Sequence, residues 1–265
     1  MKKLLGFSIF LVFVLIASLT AEAKVTLPAI FSDNMVLQQN TQVNVWGKAA
    51  PGEKVTVKAS WLDKAVTAKA AANGKWTVKL KTPKATTNQS VTVSGENEIT
   101  INNVLIGEVW LCTGQSNMEF PVSRHPDVKW NTGMLNEAEE LKDADYPEIR
   151  LFHVKRQLAH EGELDDCEGE WLVCNPKNLY DFSAVGFVFG RKLYKELKMP
   201  VGLIQSTWGG THAESWTKLD VMKKNPLYAD VLKDFALEGV KQQKNYCKVP
   251  ATLWNGMIHP ILGYT

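Results

Sequence analysis

Ser116 is the residue of this sequence whose type and setting best fit a nucleophile. It lies in residues 107–120, where the apolar run 109–112 gives way to small and polar residues. Such a run is typical of a parallel strand that is covered on both faces, and functional groups lie at the carboxyl ends of these strands. We therefore expect a tight turn at Ser116, beside the first N–H groups of a helix. An ordinary turn with a serine cap would also have this sequence.

Gly209 and Gly210 lie in a second block of small residues, 205–216, which follows the apolar run 201–204. If both runs are parallel strands, their carboxyl ends meet at one edge of the sheet, and the two glycines lie near Ser116. Acyl transfer needs N–H donors aimed at the developing oxyanion, and glycine lets the backbone approach closely. The pattern predicts Gly209, Gly210 and the N–H of Ser116 as these donors. An ordinary strand-to-helix turn is the alternative.

Five segments of the sequence resemble the sialate O-acetylesterases and related carbohydrate acetylesterases of the SGNH (GDSL-type) hydrolase superfamily. The nucleophile segment is Gly-Gln-Ser-Asn-Met at residues 114–118, and the others are 182–185, 200–204, 205–216 and 253–260. The resemblance implies hydrolysis of O-acetyl esters on carbohydrates through an acetyl-enzyme, with no metal and no organic cofactor. It also implies a flavodoxin-like α/β/α domain.

The resemblance assigns Ser116 as the catalytic nucleophile and places Gln115, Asn117, Gly209 and Gly210 at the oxyanion or substrate. The expected partner is an acetylated carbohydrate, either a sialic acid or, alternatively, an acetylated xylan. A rival hypothesis is a non-catalytic carbohydrate-binding protein, in which an N-terminal β-sandwich and a tryptophan-rich surface hold the glycan. Trp208 is one candidate for stacking on a sugar ring.

The general base of this hydrolase is not identified by the sequence. Serine ester hydrolases use a base, usually a histidine held by a carboxylate, within about 3 Å of the nucleophile. The family carries this histidine in an Asp-x-x-His block, which is missing here, as is a Gly-Glu-Ser/Ala-Asn segment. We therefore expect this chain to be the front part of a longer protein. By itself it should be a poor esterase, unless His153 or His212 acts as the base.

Residues 1–23 have the pattern of a secretory signal peptide, with a basic start, an apolar middle and an Ala-x-Ala ending. The alternative is a membrane anchor, but the apolar run is shorter than the about 20 residues that a span needs. We expect cleavage before Lys24 and an exported protein, periplasmic or secreted, with no membrane segment afterwards. A net charge of +2, with 22% charged residues, gives no basic stripe for nucleic acid.

The chain changes its pattern near residue 105. Residues 24–104 contain short alternating runs separated by turn residues, which predicts an antiparallel β-sandwich. Residues 105–265 alternate apolar strands with helical segments, including 183–197, which predicts an α/β domain with a parallel sheet. Only about three parallel strands are predicted, fewer than in an ordinary sheet of about five. The domain therefore looks incomplete, and its strand at 201–204 and the tail 258–262 are expected to be partly uncovered.

The four cysteines permit disulfide bonds in an exported protein but do not require them. Cys112 lies in the predicted strand and is expected to be a free, buried thiol. Cys167 and Cys174 could close a small loop if their Cα atoms approach within about 7 Å. Metal ligation by this pair is the weaker alternative, because no second pair has the spacing of zinc ligands.

Overall fold

A computed structural model describes residues 24–127, 133–238 and 246–264. The predicted signal peptide lies outside these residues. The strands are β1 (Val36–Gln38), β2 (Gln42–Lys48), β3 (Lys54–Ala59), β4 (Val66–Lys69), β5 (Lys75–Lys81), β6 (Thr86–Ser94), β7 (Glu98–Gly114), β8 (Tyr146–His153), β9 (Trp171–Cys174) and β10 (Val201–Thr207). The α-helices are α1 (Ser116–Glu119), α2 (Glu137–Lys142), α3 (Pro176–Leu179), α4 (Ala184–Leu197), α5 (Leu219–Lys223) and α6 (Ala229–Glu238). Short 3₁₀ and π turns occupy Ala213–Trp216, Pro226–Tyr228, Tyr246–Lys248, Trp254–Ile258 and His259–Ile261.

The N-terminal part contains two antiparallel layers. β2 and β5 form a two-stranded ribbon, while β4, β3, β6 and β7 are successive neighbours in the large sheet. Buried and exposed residues alternate strictly along β5, as expected of a strand with one face on the core. Buried side chains of both layers, such as Val45 of β2 and Val57 of β3, belong to one hydrophobic cluster.

β7 is a single strand of 17 residues that connects the two parts of the molecule. Its first half pairs antiparallel with β6, residues 105–107 pair with β1, and residues 108–114 pair in parallel with β10. The predicted boundary between residues 104 and 105 therefore lies inside this strand. The division of the chain into two domains stays a prediction.

The α/β fold predicted for the C-terminal part is confirmed. The sheet continues in the order β7-β10-β8-β9, with β7, β10 and β8 mutually parallel and β9 antiparallel. The predicted helix 183–197 is α4, whose N-cap Ser183 accepts a hydrogen bond from Gly186 N at 3.0 Å. Gly190 lets α4 lie directly on β10, because a Cβ there would stand 2.5 Å from Leu203 Cδ1. Among the described residues, no helix is long and apolar enough to cross a bilayer.

The prediction that the strand at 201–204 is partly uncovered is wrong, because β10 lies between β7 and β8 and is buried along its whole length. In the tail 258–262, Ile258 and Ile261 are buried, whereas Leu262 is 56% exposed, so this segment is partly uncovered as predicted. The exposed strand is β7, where Trp110 is 41% and Leu111 is 46% exposed. Beyond residue 107, one edge of β7 has no neighbouring strand among the described residues.

The predicted loop between Cys167 and Cys174 is not closed by a disulfide. All four cysteines are free thiols, and Cys112 is buried as predicted. The reason is packing, because Cys167 lies in the hydrophobic cluster of the N-terminal layers and Cys174 lies in the cluster beneath α4. Burial raises the pKa of each of these two thiols to about 12.

Candidate active site

Ser116 lies at a turn between β7 and α1, as the sequence predicts. The strand ends at Gly114, whose φ of 149° is a conformation that favours glycine. Gln115 then reverses the chain, and its carbonyl accepts hydrogen bonds from Met118 N at 3.0 Å and Glu119 N at 2.9 Å. The side chain of Ser116 is exposed to solvent at the start of this helical turn. Its position suits a nucleophile that an external substrate must reach.

The glycine block lies beside Ser116, as the parallel topology predicts. Thr207 at the end of β10 is in register with Gly114 at the end of β7. The next residue, Trp208, donates its N–H to Gly114 O at 3.1 Å. A Cβ placed on Gly209 would stand 3.4 Å from both Cα and Cβ of Ser116. The same Cβ would stand 2.8 Å from Oε2 of Glu119, so a side chain at 209 would displace this carboxylate.

Glu119 connects these two loops and was not identified from the sequence. Its Oε2 accepts the N–H of Gly209 at 2.7 Å, and its Oε1 accepts hydrogen bonds from Arg156 Nη2 at 2.5 Å and Nε at 3.1 Å. The side chain is only 14% exposed. Its one sequence signal is position, because residues three apart on a helical turn share a face, and Glu119 follows Ser116 by three.

The predicted oxyanion donors are only partly free in this arrangement. The N–H of Gly209 is engaged by Glu119. Gly210 has a φ of 73°, in the left-handed region, at a turn directly after Gly209. Gln115 and Asn117 both expose their side chains next to Ser116. The roles of these four residues at the oxyanion or substrate therefore stay predictions.

Trp208 is the predicted sugar platform, and one side of its ring is occupied. The guanidinium carbon of Arg156 lies 5.2 Å from the ring centroid, a cation–π arrangement. The loop that follows is fixed by Thr211, whose hydroxyl donates to Trp208 O at 2.7 Å and accepts from Trp216 Nε1 at 2.8 Å. Arg156 thus lies over the Trp208 ring and pairs with Glu119.

A general base is not in contact with the nucleophile. Ser116 Oγ makes no hydrogen bond to any of the described residues. His153 lies at the carboxyl end of β8. Burial of its ring lowers the pKa of His153, and the nearby charge of Glu119 raises it by a smaller amount. His125 Nε2 lies 2.7 Å from Asp181 Oδ1, and the second predicted substitute, His212, is exposed. The described residues thus bring the predicted nucleophile and candidate N–H donors together, and none of these histidines contacts Ser116 Oγ.

Comparisons with known proteins point to one family. A family model described as "Carbohydrate esterase, sialic acid-specific acetylesterase" matches residues 106–256. The sialate O-acetylesterase of Mus musculus is 30% identical over an alignment of 277 positions, which covers 89% of this chain and 49% of the mouse protein. That of Homo sapiens is 30% identical over 255 residues, covering 88% of this chain and 45% of the human protein.

A solved structure gives the same indication. The crystal structure of a carbohydrate acetylesterase from Xanthomonas citri is 30% identical, with a TM-score of 0.75 over 91% of this chain and 49% of the bacterial one. The chain thus spans about half the length of the curated relatives and of the solved structure that it matches.

Proposed function

This chain belongs to the sialic acid-specific acetylesterase family of carbohydrate esterases, and from that membership we propose that it hydrolyses O-acetyl esters on carbohydrates with Ser116 as the nucleophile. The observation that carries the proposal is the exposed Ser116 at the start of α1, with Gly209 packed against it. Serine in this setting attacks an ester carbonyl, while nearby N–H groups stabilise the oxyanion.

The proposed reaction has two halves. Ser116 Oγ attacks the acetyl carbonyl and loses its proton to a base, and the sugar oxygen takes a proton as it leaves the acetyl-enzyme. Water then attacks the acetyl group, and acetate is released with Ser116 restored. The proposed oxyanion donors are the N–H groups of Ser116 and Gly210, and that of Gly209 joins them if it leaves Glu119.

We place the general base in sequence beyond this chain, because no described residue contacts Ser116 Oγ and the relatives are about twice as long. His153 is the alternative within the chain, because it lies at the same sheet edge and its lowered pKa keeps the ring neutral and able to accept a proton.

The proposed substrate is an acetylated sialic acid, supported by the names of the mouse and human relatives. Acetylated xylan is the alternative, since the solved relative is named only as a carbohydrate acetylesterase. The proposed location is outside the cytoplasm, in the periplasm or secreted, supported by the signal-like pattern of residues 1–23.

The test is acetate release by the protein expressed from its full reading frame. Ser116→Ala should lower kcat for an acetylated sialic acid by at least about a thousandfold, as loss of a serine nucleophile does in other hydrolases. Ser94→Ala, in the N-terminal sheet, should leave the rate unchanged. Wild-type turnover by Ser116→Ala would refute the assignment of the nucleophile, and faster turnover of acetylated xylan would select the alternative substrate.

A further inference from the structure

A large cleft lies apart from Ser116, between the β2–β5 ribbon and two segments of the C-terminal part. Its volume is about 990 Å³, which is enough for several sugar rings. One wall is the ribbon, and the opposite wall comes from residues 164–166 and 259–263. Its lining includes none of Ser116, Glu119 or the glycine block. We refer to this space as the ribbon cleft.

Two tryptophans, Trp46 and Trp76, line the ribbon cleft from opposite faces of the ribbon. Trp46 of β2 is half-buried on the face of the ribbon that also carries Thr77, its partner in register on β5. The Trp46 ring packs against Phe31 in a T-shaped arrangement, with ring centroids 4.6 Å apart. This packing holds the indole in a fixed orientation, which a ring-stacking ligand requires.

Trp76 carries the second signal. It is only 3% exposed, it lines the cleft, and its indole Nε1 has no hydrogen-bond partner among the described residues. A buried N–H without a partner is unfavourable, so native proteins seldom keep one without a reason. The nitrogen itself has almost no accessible surface, so a ligand hydroxyl accepts this hydrogen only after the indole ring turns toward the cleft.

The charges in the cleft favour an anion. Lys48 and Lys75 face each other in register on the two strands, and both contact the one carboxylate of Asp165. The second lining carboxylate, Asp166, already accepts the backbone N–H groups of Ala29 and Cys167 through Oδ1. Asp166 keeps its charge, but Lys69 also lines the cleft, so three lysines face two aspartates, and their ammonium groups retain N–H donors for a further acceptor.

We propose that the ribbon cleft is a second, non-catalytic saccharide-binding site, and that it takes an oligosaccharide bearing a carboxylate. The apolar C–H face of a sugar stacks on Trp46, a hydroxyl accepts the Trp76 indole N–H, and the carboxylate pairs with Lys48 and Lys75. The site would hold a glycan chain away from the ester that Ser116 attacks. It does not depend on the proposed esterase activity, because binding needs no functional nucleophile.

The test measures binding of sialyllactose to the full-length Ser116→Ala protein by titration calorimetry, with lactose as the neutral probe. Trp46→Ala should weaken sialyllactose binding about tenfold, and Trp76→Phe about fivefold, since it removes the indole N–H and keeps an aromatic ring. Trp61→Phe is the matched control, because Trp61 Nε1 donates to Lys81 O outside the cleft. That variant should bind like the parent.

Lys48→Gln combined with Lys75→Gln should remove the preference for sialyllactose over lactose. Equal binding of the two sugars by the parent protein would overturn the acidic preference, and unchanged affinity in both Trp46→Ala and Trp76→Phe would overturn the site. In protein with Ser116 present, Trp46→Ala should leave turnover of p-nitrophenyl acetate unchanged. Loss of that turnover with binding intact would argue against the proposed separation from Ser116.

Discussion

The backbone N–H of Gly209 donates a hydrogen bond to Oε2 of Glu119 at 2.7 Å, and this bond fixes the glycine block against the helical turn that carries Ser116. The same carboxylate pairs with Arg156 through its other oxygen. Hydrogen bonds to a charged group are stronger than neutral ones, at about 1.5–3 kcal/mol. Glu119 is therefore a positioning residue for the proposed oxyanion site.

Glu119→Ala in the full-length protein should lower kcat/KM for an acetyl ester about 10–100-fold, because both loops lose their common anchor. The kcat/KM of Glu119→Gln should lie between those of wild type and Glu119→Ala. Its amide oxygen still accepts the N–H of Gly209, while its pairing with Arg156 loses the charge. Glu170→Gln, at an exposed carboxylate, is the control. Steady-state kinetics measure all three variants, and full activity of Glu119→Ala would exclude the positioning role.

The four thiols should be free in the purified protein. Denatured chains should react with four equivalents of a thiol reagent, whereas in the native protein only the half-buried Cys247 should react quickly. Burial raises the pKa of Cys112 to about 11 and those of Cys167 and Cys174 to about 12, so little thiolate is present at neutral pH. A reducing agent should leave Tm unchanged, and a lower Tm on reduction would reveal a disulfide that contradicts this packing.

Acid should weaken the contact between α2 and α4. Both carboxylate oxygens of Glu140 contact the Arg191 guanidinium, which lowers the pKa of Glu140. This contribution to stability is complete above the unfolded carboxyl pKa of about 4.3 and is lost as pH falls through the lower folded value. Glu140→Gln should reduce the free energy of unfolding by about 1–3 kcal/mol at pH 7.

The difference between Glu140→Gln and wild type should shrink toward pH 3, as measured by urea unfolding across this range. Glu196→Gln is the control, because its exposed pair with Lys192 contributes little to stability. A destabilisation by Glu140→Gln that stays constant down to pH 3 would show that the ion pair is not its cause.

The open edge of β7 should make the 265-residue chain self-associate. Trp110 and Leu111 are exposed there, and Val185, Val188 and Phe189 of α4 form an exposed apolar group nearby, with Trp110 and Phe189 in edge contact. Exposed edges with apolar side chains promote aggregation.

Leu111→Thr should reduce self-association in light scattering and change the free energy of unfolding by less than about 0.5 kcal/mol. Leu203→Ala, at a buried position of β10, should instead destabilise the chain by about 2–5 kcal/mol. A monomeric parent chain at high concentration would contradict the prediction.

The sequence predicts the features that depend on local signals. Ser183 caps α4 where its residue type suggests, and the apolar runs before Ser116 and Gly209 form parallel strands that bring these residues together. These features follow from residue type, periodicity and the direction of parallel strands, and they need no knowledge of distant contacts.

Features that depend on distant partners were missed. Glu119 meets Arg156 across 37 positions of sequence, and nothing in either local segment signals the pair. Cys167 and Cys174 are close in sequence but belong to different hydrophobic clusters, so spacing alone suggested a bond that the packing prevents. The exposure of Trp110 could likewise not be predicted, because an apolar strand has the same composition at the edge and at the centre of a sheet.

The uninterrupted course of β7 has a consequence for unfolding. Its 17 residues hydrogen-bond to β6 of the N-terminal part at one end and to β10 of the C-terminal part at the other. Neither part can therefore unfold without leaving unpaired backbone groups in the other. Heat or denaturant should unfold both parts in one cooperative transition. Amide hydrogens of β7 that are bonded to β6, β1 or β10 should exchange at the rate of global opening, including those around residues 104 and 105.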